Sequence, residues 1–117
     1  MLKRVFHLWL GLLAIAPPVL AGETLDIWRS DPTHIFDAKE VDLLDVIWAA
    51  RPWVVFADSP LDPTFTQQMA LLQADIAVLQ VRDVMIVVDT APKAKSTLRK
   101  TLHPKGFNWV LIGKVLS

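Results

Sequence analysis

The stretch WVVFA at residues 53–57 and the stretch VMIVV at residues 84–88 decide the fold that this sequence predicts. Both are continuously apolar instead of alternating, and both are rich in valine, which favours strands. A third run, WVLI at residues 109–112, has the same apolar character. Continuous apolar strands are typical of a parallel or mixed sheet that helices cover on both faces. The predicted class is therefore α/β.

The clearest predicted helix lies between the first two strands. It begins at Asp62 and Pro63, because an acidic N-cap followed by proline in the first turn is a common helix start. Apolar residues then recur at spacings of three and four, which places them on one face of a helix. Residues 53–88 are thus predicted to form a strand–helix–strand unit with a right-handed crossover. The predicted buried face consists of Phe65, Met69, Leu72, Ile76 and Leu79.

Weaker patterns flank this unit. Residues 22–39 are acidic and poorly periodic, so we expect an irregular N-terminal arm there, followed by a short helix that ends before Arg51 and Pro52. A basic helix is predicted over residues 93–102, with Leu98 facing inward. Its basic residues are assigned to a solvated face: Lys93, Lys95, Arg99 and Lys100.

The first twenty-one residues have the pattern of a cleavable secretory signal peptide. Lys3 and Arg4 form a positive n-region, and residues 5–16 are almost entirely apolar. This run is too short to span a bilayer, which takes roughly twenty residues. Small residues before Gly22 predict cleavage between Ala21 and Gly22. We therefore expect a periplasmic or secreted protein that is not membrane-bound after cleavage.

The chain contains no cysteine. Small exported domains are often held together by disulfides, so burial alone must stabilise this one. Thiol redox chemistry, thiolate catalysis and cysteine-ligated metals are excluded. The charge is uneven, with seven acidic residues over residues 22–45 and seven basic residues over residues 82–117. We expect the two regions to attract each other in the fold; a basic patch for an anionic partner is the alternative.

Three segments resemble one family of thioredoxin-like domains of unknown function, DUF4174. They are RPWVVFA at residues 51–57, RDVMIVV at residues 82–88 and GFNWVLIGK at residues 106–114. The resemblance implies a thioredoxin-like, three-layer α/β/α domain with a short mixed sheet over residues 40–117. The family pattern continues with a further strand and helix after the last segment. This chain stops at Ser117, so the expected sheet lacks them.

In redox-active thioredoxin-like proteins, the loop after the first strand carries Cys-x-x-Cys. The matching loop here is DSPLD at residues 58–62, without a thiol, so the resemblance implies the fold and not the activity. Asp58, Ser59 and Asp62 are interpreted mainly as capping residues, with a binding loop as the alternative. A Ser59 nucleophile would need His34 or His103 as its base, and neither lies in a recognisable motif.

No metal-ligand spacing is present, and no cofactor is expected. Nucleic acid is not an expected partner, because no aromatic residues are interleaved with the bases of the basic helix. Trp28 lies in the acidic arm, where it either packs the arm against the core or forms a partner surface.

The predicted function is an exported, non-catalytic binding or structural domain with an unidentified extracytoplasmic partner. The alternative is an enzyme that uses the loop between Asp58 and Asp62. The strand at residues 109–112 would have a free edge if nothing pairs with it, and this predicts self-association.

Overall fold

A computed structural model describes residues 22–113 of the chain, and within that range four strands form one mixed sheet. The strands are β1 (Phe36–Asp37), β2 (Arg51–Phe56), β3 (Val84–Asp89) and β4 (Asn108–Leu111), and their order in the sheet is β1-β3-β2-β4. β3 pairs in parallel with both β1 and β2, whereas β4 runs antiparallel to β2. The three predicted strands are confirmed. β1 is not predicted, because a strand of two residues gives no recognisable apolar run.

β2 and β3 form the buried centre of this sheet. Val54, Val55 and Phe56 of β2 are fully buried, and so are Met85 and Val87 of β3. Val54 pairs with Val87 and Val55 with Val88 in the parallel ladder. Burial of both faces explains why these two segments are continuously apolar.

The third strand differs from its prediction. β4 has the apolar composition of a strand buried on both faces, but Trp109 is 47% exposed and Leu111 is 49% exposed. The reason is its position, because β4 pairs with β2 on one side only and lies at the edge of the sheet within residues 22–113. Sequence composition alone does not distinguish a central strand from such an edge.

One face of the sheet is covered by the predicted central helix. It is divided into α3 (Pro63–Ala74) and α4 (Ile76–Val81), because Asp75 leaves helical geometry at φ −108° and ψ 17°. The predicted apolar face is confirmed, since all five of its residues pack in the cluster that contains Val55 and Ile86. Phe65 and Leu72 are the most deeply buried of the five, and Gln73 next to Leu72 is exposed.

The opposite face is covered by three shorter helices, α1 (Glu23–Ser30), α2 (Leu43–Val46) and α5 (Thr97–Leu102). Trp28 of α1, Val46 of α2 and Leu98 of α5 are buried in one cluster with sheet residues. Those sheet residues alternate with the ones on the first face, as a strand period of two requires. They are Val54, Phe56, Met85 and Val87. Helices thus lie on both faces, and the predicted α/β class is confirmed.

The N-terminal segment is more regular than expected. Residues 22–39 are predicted to be an irregular arm, but α1, β1 and the start of a 3₁₀ turn (Ala38–Glu40) lie there. Two local devices stabilise it: the Thr24 hydroxyl donates a hydrogen bond to the carbonyl of Glu40, and Asp37 and Glu40 form a capping box. The prediction of an irregular arm is wrong, because these contacts and the burial of Trp28 outweigh weak periodicity.

The predicted basic helix is shorter than expected. Pro92–Ala94 is a separate 3₁₀ turn, and Lys95 then takes a left-handed conformation at φ 49°. The α5 helix begins only after Ser96, whose hydroxyl accepts a hydrogen bond from the backbone N–H of Arg99 at 3.1 Å. A serine N-cap is a strong helix start, and it explains why regular helix begins there.

No helix within residues 22–113 has the length and apolar character needed to cross a membrane. The predicted signal peptide lies outside the described residues.

Replacement of Leu72 tests the assigned helix face. Leu72→Ala should lower the free energy of unfolding by about 2–5 kcal/mol, because it removes buried methyl groups and leaves a cavity. Gln73→Ala is the matched control and should be nearly silent, since the Gln73 side chain faces solvent. Urea denaturation monitored by tryptophan fluorescence measures both, and equal losses would contradict the packing of α3.

Candidate functional site

A buried ion pair lies at the carboxyl end of the central strands. Asp89, the last residue of β3, is 4% exposed, and its Oδ1 accepts a hydrogen bond from Nε of Arg99 at 2.9 Å. Oδ1 also accepts the backbone N–H of Ala91, and Oδ2 accepts the hydroxyl of Ser96. Both carboxylate oxygens are therefore satisfied within the fold.

Arg99 extends this network to β2. Its Nη2 donates to the backbone carbonyl of Ala57 at 2.8 Å and to that of Asp89 at 3.1 Å. The guanidinium carbon lies 5.3 Å from the centre of the Phe56 ring, within range for a cation–π contact. The prediction that Arg99 belongs to a solvated face is wrong, because its side chain is only 11% exposed. Nothing in the local sequence pattern around Arg99 indicates that it pairs with a carboxylate ten residues earlier.

A small cleft of about 120 Å³ opens beside this network. Asp37 and Lys39 line it from one side, and Asp89 and Ser96 from the other. The side chain of Asp37 accepts the backbone N–H of Lys39, while Asp89 and Ser96 bond as described above. The side chains of Asp37, Asp89 and Ser96 thus stabilise the turns around the cleft.

The loop between β2 and α3 contains the three candidate site residues Asp58, Ser59 and Asp62. Asp62 is the N-cap of α3, as predicted, because its Oδ1 accepts the backbone N–H of Thr64 at 2.8 Å. The Ser59 hydroxyl accepts the N–H of Leu61 at 3.1 Å. These bonds use Ser59 and Asp62 to shape the turn into the helix, and Asp58 is exposed beside them.

Neither histidine of the described chain lies at this loop. His34 precedes β1, whose Phe36 pairs with Val87, and it therefore lies toward the amino-terminal end of the parallel strands. Its ring packs against the Phe36 ring, with centroids 4.5 Å apart. His103 follows the far end of α5. The structure thus brings neither histidine to Ser59 as the base that the enzyme alternative invokes.

Trp28, the other candidate, is 7% exposed and packs in the core cluster beneath α1. Of the two interpretations of Trp28, the structure shows packing of the N-terminal segment against the core. A side chain this buried does not form a partner surface. Its indole Nε1 has no hydrogen-bond partner within residues 22–113. Within the same range, no three histidine, aspartate or glutamate side chains are grouped to hold a metal ion.

The outer edge of β4 is a second candidate site. The N–H of Ile112 donates to the carbonyl of Pro52 at 2.8 Å, and Val110 is paired with Val54. Since alternate residues of an antiparallel strand direct their backbone groups to opposite sides, Trp109 and Leu111 direct theirs away from β2. The Trp109 N–H donates to the side-chain oxygen of Asn108 at 2.8 Å, and not to a strand.

Apolar side chains lie on both faces of this edge. On the face of α3, Trp109 contacts Trp53 with ring centroids 5.0 Å apart, and Leu111 is opposite Trp53. On the other face, an apolar cleft of about 320 Å³ lies between α2, α5 and the residue after β4. Leu44 projects beside it, 72% exposed. The cleft is lined mainly by Leu43, Leu44, Ile47, Leu98 and Ile112.

The sequence predicts this edge, but not the cleft. The apolar strand at residues 109–112 is visible in the sequence, whereas the cleft depends on how α2 and α5 meet beside Ile112. Trp48 lies beyond the end of α2 and is 56% exposed.

Searches of protein-family models, curated proteins and solved structures gave no match to this chain. The resemblance to DUF4174 stays a prediction from the residues quoted above.

Replacement of Arg99 tests the buried network. Arg99→Met should lower the free energy of unfolding by about 3–5 kcal/mol, because it leaves the Asp89 carboxylate buried without its cation. Lys100→Met makes the same change one residue away at an exposed position and should have little effect. Urea denaturation compares the two variants, and an unchanged midpoint for Arg99→Met would refute the structural role of the ion pair.

Proposed function

We propose that this protein is an exported, non-catalytic binding domain that recognises an extended protein segment at the outer edge of β4. In this mode, the bound segment adds a strand to the sheet, and side-chain contacts on the two faces give specificity. The partner is therefore expected to be a peptide or a protein strand outside the cytoplasm.

One observation carries this proposal: β4 has outward backbone groups at Trp109 and Leu111 together with two half-exposed apolar side chains. Main-chain donors and acceptors supply affinity for any extended chain. Trp109 in particular offers a large amphipathic surface of the kind that is enriched at the centres of interfaces. The cleft on the opposite face adds a second place where a side chain of the partner can be buried.

The loop at residues 58–62 supports the non-catalytic part of the proposal. Ser59 and Asp62 accept backbone hydrogen bonds of their own turn. A nucleophile needs a neighbouring base, and His34 and His103 both lie toward other parts of the fold. The enzyme alternative at this loop thus has no histidine beside Ser59 to act as its base.

The finer fold assignment is part of the same proposal. A thioredoxin-like domain of the DUF4174 type is supported by the resemblance of the three quoted segments. The mixed sheet with helices on both faces is compatible with it. This assignment gives no activity, because the chain carries no thiol.

Titration with a strand-forming peptide tests the binding mode. The probe is a short peptide of alternating valine and threonine with a lysine at each end, added to the isotope-labelled protein. We expect the amide resonances of Trp109 and Leu111 to shift, because these groups would bond to the added strand. Leu111→Lys should weaken the shifts, since a charged edge opposes strand addition.

Leu71→Lys is the matched control, because Leu71 is an equally apolar residue that is exposed on α3. It should bind the peptide as the unaltered protein does. In monomeric protein, shifts confined to the loop at residues 58–62, or none at β4, would overturn the proposed binding surface.

Export is proposed on the pattern of residues 1–21, which lie outside the described residues. The expected mature chain begins at Gly22, because Val19 and Ala21 match the small-residue requirement of signal peptidase. Intact mass spectrometry of the chain expressed in a bacterial host with a working secretion pathway measures this. Protein that retains Met1 in the membrane fraction would contradict the proposal.

A further inference from the structure

The two edges of the sheet are not equivalent. β1 forms one edge with only two residues, and a capping box at Asp37 turns the chain away from the sheet at once. β4 forms the other edge with four residues, none of them charged. Very short strands and charged residues are the usual protection of a sheet edge. Within residues 22–113, β1 has the first kind of protection and β4 has neither.

β4 is also complementary to itself. When two antiparallel copies of the strand meet with Val110 opposite Val110, Trp109 of each copy lies opposite Leu111 of the other. Trp109 and Leu111 are the strand residues whose backbone groups point outward. Both therefore become hydrogen-bonded pairs, in which each residue exchanges an N–H and a carbonyl with its partner. The pairing at Val110 is a non-hydrogen-bonded pair, in which the side chains are closer.

We propose that the partner at the β4 edge is a second copy of this chain, which pairs antiparallel about a two-fold axis through Val110. This inference rests on the proposed binding surface and names its occupant. The two four-stranded sheets then form one continuous sheet. The interface is isologous and closed, because the same patch is used on both subunits and the β1 edges are too short to extend it.

The side chains match on both faces in this arrangement. On the face of α3, Trp109 of one copy packs beside Leu111 of the other, and both are about half exposed in the single chain. On the opposite face the two Val110 side chains meet. Aromatic and β-branched cross-strand pairs are favourable, and no like charges face each other along the strand. The charge pattern therefore permits self-pairing, which a lysine in β4 would oppose.

Asn108 competes with this interface. Its side-chain oxygen accepts the Trp109 N–H that the second copy would use. Dimerisation thus exchanges a local hydrogen bond for one between strands. Replacement of Asn108 by alanine frees the amide and should strengthen the dimer.

Sedimentation equilibrium of the 117-residue chain and of its secreted form tests the proposal. We expect a concentration-dependent monomer–dimer equilibrium, weakened by about tenfold or more in Leu111→Lys and tightened in Asn108→Ala. Leu71→Lys, with the same change at another exposed leucine, should leave the equilibrium unchanged. A monomer at all soluble concentrations, or a Leu111→Lys variant that dimerises normally, would overturn it.

A disulfide tests the register. Because the chain has no cysteine, Val110→Cys introduces a single thiol. Residues opposite each other in a non-hydrogen-bonded pair are about 4.5 Å apart at Cα, which is within the range for a disulfide. Mild oxidation should therefore give a covalent dimer. Leu44→Cys, an exposed control, should not crosslink appreciably. Equal crosslinking of both variants would refute the two-fold axis at Val110.

The two proposals fail in different ways. A chain that binds the valine–threonine peptide at β4 but stays monomeric retains the binding function and refutes the second copy as its occupant. A chain that neither binds the peptide nor dimerises refutes both. Dimers that persist without crosslinking at Val110 refute the two-fold axis at that residue, and dimers that persist in Leu111→Lys refute the β4 interface.

Discussion

The ion pair between Arg99 and Asp89 connects the two central strands to the helix that covers them. At the end of β3, Arg99 contacts the carboxylate and the backbone carbonyl of Asp89. Beyond the end of β2, it contacts the backbone carbonyl of Ala57. Burial of a charge is unfavourable unless its partners are all in place, so the network fixes α5 at one position. The position of Leu98 in the core, one residue before Arg99, follows from that constraint.

A domain of this size without disulfides depends on burial on both faces of one sheet. Alternate residues of β2 and β3 point into two separate clusters, one under α3 and α4 and one under α1, α2 and α5. This burial is concentrated at the centre and declines toward β4. The buried packing and the half-exposed apolar surface therefore lie in different strands.

The sequence predicts those features that local pattern controls. Continuous valine-rich runs predict β2 and β3, and Asp62 with Pro63 predicts the start of α3, because capping and strand burial are read from neighbouring residues. The sequence does not predict features that depend on contacts between residues distant in the chain. The partner of Arg99 is brought to it by the fold, and the N-terminal segment is ordered by a bond from Thr24 to Glu40, sixteen positions later.

The candidate site divides in the same way. The caps formed by Ser59 and Asp62 are local and predictable, and so is the apolar character of β4. The exposure of Trp109 depends on the sheet order, which places β4 beside β2 with no second neighbour in the described chain. Burial of Trp28 likewise depends on where α1 packs. The sequence around a tryptophan does not show whether the side chain is half-exposed, like Trp109, or buried, like Trp28.

The pairing of β4 with β2 also determines when the chain can finish folding. Trp109 pairs with Val55, so β2 is synthesised well before the strand that pairs with it. Contacts between residues so distant in sequence form slowly, because a long loop must close first. Until the last strand arrives, β2 has an open side and the sheet is incomplete. A growing chain of this topology completes the β2–β4 ladder only after β4 has been synthesised.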